Sequence, residues 1–365
     1  MRPVRAWMLA LLFVTPGLAS AQLVPPPVPH GLNWVNRHIE GRLIDYTNNH
    51  GEDRRIFSPI LNQKRGMYVY LPPGYHSAMA YPLMFDFHVA NWDETLYVTS
   101  DHLIELDRMI RAGMVPPVVV AMPDGSIKGR KGRNSPSSFF FNGVNGRFED
   151  HIVQEVLPFL LSTYSIRPER QAHAMVGGSA GGCAALSLAI RYRNYFGVAA
   201  ALSGAVNLLY DTSNDDTRAD FSPATFRWEV TYHPDQIVGQ FYCGLLTPRV
   251  KDFYEPVFGS DPQQVMAGVQ AVNPATLIET SGLQPGELDI YLNYGALDEF
   301  NFDAHAESFA WLAAQRGIAV TLDRDPVGKH NRSYFQRNQL KLFAWIGQHI
   351  LPPVPVAQPV AAVVP

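Results

Sequence analysis

An apolar run, Ala174-Met175-Val176, passes directly into Gly177-Gly178-Ser179-Ala180-Gly181-Gly182, and a helix-like segment from Cys183 to Ile190 follows at once. A G-x-S-x-G sequence between a strand and a helix is a nucleophile elbow. The tight turn forces the serine into strained backbone geometry, and the flanking glycines keep Cβ atoms out of the way. The Ser179 hydroxyl then stands clear at the head of a helix, where the helix N-terminus and the Ala180 N–H meet negative charge on an acyl oxygen.

Working outward, short apolar runs bounded by turn residues alternate with longer amphipathic stretches. Tyr68 to Leu71, Leu83 to His88, Val118 to Met122, Ala172 to Val176, Val198 to Leu202 and Leu288 to Tyr294 read as buried strands, with a last strand-like run from Ala319 to Leu322. Ser100 to Ala112, Asp150 to Tyr164, Gly182 to Arg193, Ala304 to Arg316 and Arg337 to His349 read as helices. Such alternation predicts an α/β fold with a mostly parallel central sheet and helices on both faces. Two regions break it. Residues 126 to 148, with Phe139-Phe140-Phe141, predict a long loop over one end of the sheet. Residues at about 207–275 predict a cap-like insertion over the ligand crevice, polar from Asp211 to Asp220 and then aromatic through Phe226, Trp228 and Tyr232. A satellite lobe with its own small core accounts for most of those aromatics, leaving one or two for substrate.

An unactivated serine is a poor nucleophile, so a base is required. The histidines after Ser179 are His233, His305, His330 and His349. His305 and His349 fall in amphipathic helical stretches and His233 in the insertion. His330 lies in the loop Val327-Gly328-Lys329-His330-Asn331 after the last strand-like run, where a side chain is held at the C-terminal edge of the sheet. The acid belongs in the loop after the strand ending at Tyr294, where Asp298 is placed to accept from the imidazole N–H, with Glu299 and Asp303 as alternatives. Asp303 also suits a helix N-cap, since it precedes the run starting at Ala304. The run from Asp298 to Asp303 lacks the spacing of a calcium loop, and no metal and no cofactor are assigned.

The chain has 365 residues, 47% hydrophobic and 17% charged, which excludes disorder, collagen and small disulfide scaffolds. With 29 Lys+Arg against 33 Asp+Glu, no global basic field exists to hold nucleic acid. Two cysteines permit at most one bridge; a Cys183–Cys243 bridge would pin the insertion to the core, and two separate thiols are the default. Residues 1–21 carry Arg2 and Arg5, an apolar stretch from Ala6 to Val14 and Ala19-Ser20-Ala21, the pattern of a signal peptide cut after Ala21. That predicts a secreted or periplasmic protein with no membrane span, since the apolar stretch is shorter than the roughly 20 residues a spanning helix needs. The proline-rich leader at 22–30 and the Pro/Val/Ala-rich tail at 351–365 are expected to be extended and outside the fold, leaving 31–350 as the catalytic domain.

Taken in order, Tyr68-Val69-Tyr70-Leu71-Pro72-Pro73-Gly74-Tyr75, Tyr81-Pro82-Leu83, Val118 to Gly125, Gly146-Arg147-Phe148-Glu149-Asp150, the elbow, Leu202-Ser203-Gly204-Ala205, Asn273-Pro274 and Gly328-Lys329-His330 make the sequence resemble a serine esterase family of the α/β-hydrolase fold. That family includes feruloyl esterases, enterochelin esterases, S-formylglutathione hydrolases and mycolyltransferases. The resemblance implies a carboxylic ester hydrolase with Ser179, His330 and Asp298 as nucleophile, base and acid. It departs at His88-Val89-Ala90-Asn91-Trp92, where the family usually has His-Gly, so Val89 or Ala90 is implied as the second oxyanion donor beside Ala180. His88 reads as a structural residue beneath that loop. Tyr334 and Phe335 stand where the family tends to place tryptophan. Trp92, Phe140, Trp228 and Tyr334 are the candidate substrate contacts, and the aromatic content favours a bulky, feruloyl-type acyl group on a small-molecule or carbohydrate-linked ester. Alternatives with the same fold are an acyltransferase, a siderophore esterase, or a ligand-binding protein without turnover.

Overall fold

The computed structural model describes residues 31–129 and 136–356; residues 1–30, with the signal-peptide and leader readings, and the end of the tail lie outside them. Eight strands form the central sheet: β1 (Arg42–Tyr46), β2 (Met67–Leu71), β3 (Leu83–Phe87), β4 (Val119–Pro123), β5 (His173–Gly178), β6 (Val198–Leu202), β7 (Asp289–Gly295) and β8 (Thr321–Asp325). Their order is β1-β2-β4-β3-β5-β6-β7-β8, antiparallel at β1-β2 and β2-β4 and parallel from β4 onward. The helices are α1 (Leu32–His38), α2 (His102–Arg111), α3 (Leu157–Thr163), α4 (Ala180–Arg191), α5 (Val250–Phe258), α6 (Pro262–Val272), α7 (Pro274–Thr280), α8 (Phe302–Gln315) and α9 (Arg332–His349).

Strand alternation sends successive side chains to opposite faces. Met67, Val69 and Leu71 of β2 and Ala199 and Ala201 of β6 enter the core beneath α3, α4 and α8. Tyr68 and Tyr70, with Val198 and Ala200, enter the core beneath α1, α2 and α9. The central strands carry near-continuous apolar runs because both faces are covered.

Where the sequence reading differs, edge position or capping explains it. β1, absent from the sequence reading, and β8, expected at Ala319 to Leu322, are edge strands with charged residues, which need no apolar run to pair on one side. α9 begins at Arg332 rather than Arg337 because the Asn331 side chain accepts from the Tyr334 N–H, capping the helix one residue beyond His330. The C-terminal tail is not wholly outside the fold. Val354–Pro355 pairs antiparallel with Met79–Ala80, the Val356 N–H donates to the Ala78 carbonyl, and Arg167 donates to the Pro352 carbonyl. Prolines 352, 353 and 355 lack donors, but Val354 and Val356 retain theirs.

The insertion builds a hairpin (Tyr210–Thr212 with Phe226–Trp228), then α5 and α6. Its apolar side chains, among them Leu209, Phe241, Val265 and Val269, pack with Ala180, Cys183 and Phe300 at the head of the sheet. Cys183 is fully buried there and free. No helix among the described residues is long and apolar enough to cross a membrane.

Candidate active site

β5 runs into the elbow, and Ser179 adopts φ 53° and ψ −119°, with its N–H donating to the Leu202 carbonyl at 2.9 Å. The close approach of backbones requires the glycines. A Cβ on Gly181 would lie 2.0 Å from the Phe87 carbonyl oxygen, and one on Gly177 would lie 2.4 Å from the Gly181 carbonyl carbon. Gly181→Ala is therefore expected to destabilise the fold by about 3 kcal/mol or more, read as a lower urea midpoint with an unchanged slope. A midpoint equal to that of the wild type would contradict the packing described.

The loops after β7 and β8 touch backbone to backbone. A Cβ on Gly295 would sit 2.5 Å from the Gly328 carbonyl carbon, and the Leu297 N–H donates to the Gly328 carbonyl at 2.8 Å. This contact brings Asp298 and His330 together at the elbow. His330 Nε2 lies 3.1 Å from Ser179 Oγ, and His330 Nδ1 lies 2.9 Å from Asp298 Oδ2. Phe300, Phe302 and Phe335 surround the imidazole at ring centroid distances of 4.9, 5.3 and 5.3 Å, each nearly perpendicular to it. Their packing leaves the ring little freedom to turn.

Asp298 is buried, and its carboxylate is fully engaged. Oδ2 also accepts from the Ser203 hydroxyl, and Oδ1 accepts from the Phe300 N–H at 2.8 Å. Burial alone would raise its pKa; the nearby His330 and the hydrogen bonds from His330, Ser203 and Phe300 overcome that and hold it below the usual carboxylate value. Glu299 accepts instead from the His330 backbone N–H at 2.7 Å. Asp303 lies in the first turn of α8, where burial pushes its carboxyl up to about 6. The N-cap position of that helix belongs to Asn301 rather than Asp303. His233 is 3.9 Å from Glu229 in the insertion, and His349 Nδ1 lies 2.8 Å from the Trp345 carbonyl.

His88 is buried under the loop that follows β3. The Gly125 N–H donates to its Nε2 at 2.9 Å, so Nδ1 carries the proton and donates to the Val89 carbonyl, also at 2.9 Å. Burial holds its pKa below the ordinary value, which keeps this neutral pattern. A trans peptide opposes its C=O and N–H. With the Val89 carbonyl turned down to His88, the Ala90 N–H is directed away from that buried side. The Ala180 N–H, at the first helical position of α4, has no intrahelical acceptor.

Ser179 stands where two cavities meet. One, of about 170 Å³, is lined by Val89, Trp92, Phe335, Gln336 and His330. The other, of about 110 Å³, lies beneath the insertion and is lined by Phe139, Tyr210, Tyr232, Met266, Phe302 and His305. Ala90, Phe253 and Phe300 border both.

Three of the four expected substrate contacts lie elsewhere. Phe140 is buried in the core against Phe87 and His88, and its neighbour Phe139 reaches the cavity instead. Trp228 packs on Phe226 at the base of the hairpin. Tyr334 is buried with its hydroxyl donating to Asn293 Oδ1 at 2.5 Å, while Phe335, one residue on along α9, faces the cavity. A helix rotates side chains by about 100° per residue, so adjacent positions face core and cleft. Ser203 is the site neighbour that sequence reasoning left without a role, its only signal being its position directly after β6. Glu299, weighed as an alternative acid, meets the backbone of His330 and not its imidazole.

The family model described as Esterase matches residues 58–348. Two curated esterases of Mycobacterium tuberculosis, from strains CDC 1551 and H37Rv, are each 31% identical over 158 residues, which is 43% of this chain and 33% of theirs; the chain thus spans about a third of the length of the curated relatives it matches. Among solved structures, a ferulic acid esterase superposes with a TM-score of 0.60 at 15% identity, covering 85% of this chain and 99% of that one. An S-formylglutathione hydrolase from Agrobacterium tumefaciens gives 0.59 at 15% identity, covering 86% and 96%. The Mycobacterium tuberculosis protein MPT51 gives 0.53 at 14% identity, covering 82% and 98%. At such identities the likeness to solved structures is one of fold. With the family match spanning most of the folded chain, over a sheet of α/β-hydrolase topology with a tight glycine-rich turn at the end of β5, this chain belongs to the Esterase family.

Proposed function

We propose that the protein is an exported carboxylesterase that works through a Ser179-His330-Asp298 triad and an acyl-enzyme. The observation that carries this reading is the unbroken hydrogen-bonded line from Ser179 Oγ through His330 to Asp298 Oδ2, standing where two cavities open. Ser179 Oγ attacks the ester carbonyl carbon while His330 Nε2 takes its proton, and Asp298 holds the Nδ1–H tautomer. The oxyanion receives the Ala180 N–H and the Ala90 N–H, the latter turned toward the cleft by His88. The intermediate collapses, the alkoxide leaves with the proton from His330, and water repeats the sequence to free the acid and Ser179. Export rests on the N-terminal pattern of Arg2, Arg5, the apolar stretch and Ala19-Ser20-Ala21. The aromatic walls of the insertion cavity favour a bulky aromatic acyl group of the feruloyl type.

Treatment with a fluorophosphonate probe, followed by peptide mass mapping, is expected to place one adduct on the peptide containing Ser179, with loss of p-nitrophenyl acetate turnover in step with labelling. An unlabelled wild-type protein, or an adduct on another residue, would remove the reading.

A further inference from the structure

His305 projects from α8 into the wall of the insertion cavity, between Tyr210 and Phe302 at ring centroid distances of 6.0 and 5.1 Å. Its Nδ1 is buried with no hydrogen-bond partner among the described residues. Buried polar groups are nearly always paired, and leaving one unpaired costs about 1–3 kcal/mol. Burial pushes its pKa down to about 4, so at neutral pH the ring is uncharged, with one donor and one acceptor nitrogen. No ion pair among the described residues explains its presence, and the same position filled by leucine would satisfy the surrounding aromatic wall.

The chemistry at Ser179 decides which half of an ester this cavity holds. His330 returns its proton to the departing alkoxide, so the alcohol leaves on the side that His330 faces. His330 lines the Trp92 cavity and not the insertion cavity, whereas Ala180, whose N–H holds the oxyanion, lines the insertion cavity.

We infer that the insertion cavity is the acyl site and that His305 hydrogen-bonds a polar substituent on the ring of an aromatic acyl group, so that the enzyme selects hydroxyaryl over unsubstituted aryl acids. This rests on the catalytic reading above and adds to it a specificity residue outside the triad. Deacylation separates the two halves of the ester, because the alcohol has left before that step begins.

The test uses methyl and p-nitrophenyl esters of 3-phenylpropanoic acid and of its 4-hydroxyphenyl analogue, with 2-hydroxyethyl esters as the alcohol series. The wild type is expected to favour the hydroxylated acid in kcat/KM. His305→Leu is expected to lower that ratio about tenfold, to slow deacylation of the hydroxylated acyl-enzyme in burst kinetics, and to leave the methyl to hydroxyethyl ratio unchanged. His305→Gln, which keeps a donor and an acceptor, retains part of the preference. The melting temperature of His305→Leu is expected to equal or exceed that of the wild type, since the change removes an unpaired polar group; a merely structural histidine would lower it and leave the ratios alone. An unchanged acyl ratio in both variants overturns the inference, as does a change that follows the alcohol while the deacylation constant stays fixed. A wild type that neither labels with fluorophosphonate nor turns over any of these esters overturns the catalytic reading itself, a result distinct from normal turnover with no acyl preference.

Discussion

Ser179→Ala and His330→Ala are each expected to reduce kcat for p-nitrophenyl acetate by about 10⁵-fold or more, and the double variant to be no worse than either single one. Removing one member of a nucleophile–base pair already abolishes the route that both serve, so the effects do not add. The residual rate comes from the oxyanion donors and from binding, which neither substitution touches. Neither change should unfold the protein. The Ser179 hydroxyl is a small group at a cleft, and the imidazole sits in a cage of Phe300, Phe302 and Phe335 that survives its loss. Initial rates on protein checked by circular dichroism decide the matter, and a loss below about 100-fold in either variant would mean that another residue carries the chemistry.

Asp298→Asn is expected to cost about 10³–10⁴-fold in kcat at neutral pH. Asp298 Oδ2 accepts from both His330 Nδ1 and Ser203 Oγ, and Oδ1 accepts from the Phe300 N–H. With the Phe300 amide holding the asparagine oxygen, the new NH₂ group faces His330 and donates to Nδ1. The proton then resides on Nε2, which no longer accepts from Ser179. Glu299→Gln is the control beside it. That side chain accepts the His330 backbone N–H at 2.7 Å, and a glutamine oxygen accepts the same bond, so the expected loss is about tenfold or less. Equal losses in the two variants would contradict the assignment of the acid to Asp298.

The two carboxylates differ in a way that no local pattern marks. They are adjacent in sequence, yet one meets the imidazole and the other the backbone of the same histidine, because the β7 and β8 loops cross at Gly295 and Gly328. The same holds for the aromatics. Phe139 reaches a cavity while Phe140 enters the core, since the buried turn at 139–140 has positive φ at both residues and sends their rings to opposite sides. Ser203 acquires its contact with Asp298 only because β6 and β7 are neighbours in register, with the Ser203 N–H donating to the Asn293 carbonyl at 2.7 Å.

Read without any structure, the chain already determined its α/β class, the central strands and the elbow. These depend on local information: apolar runs long enough to be covered on both faces, and glycines without which the Gly177–Gly181 approach is closed to any Cβ. The edge strand β1 and the pairing of Val354–Pro355 escaped the reading, and the edge strand β8 was placed two residues early, because an edge ladder rests on backbone hydrogen bonds on one side and carries little apolar signature. Tertiary structure alone decided which histidine nitrogen faces which carboxylate, which aromatic rings wall the cleft, and where His305 points. Those outcomes join residues as far apart as Ser179 and His330, 151 positions along the chain. The register of the parallel sheet fixes such distances, and no short segment contains the register.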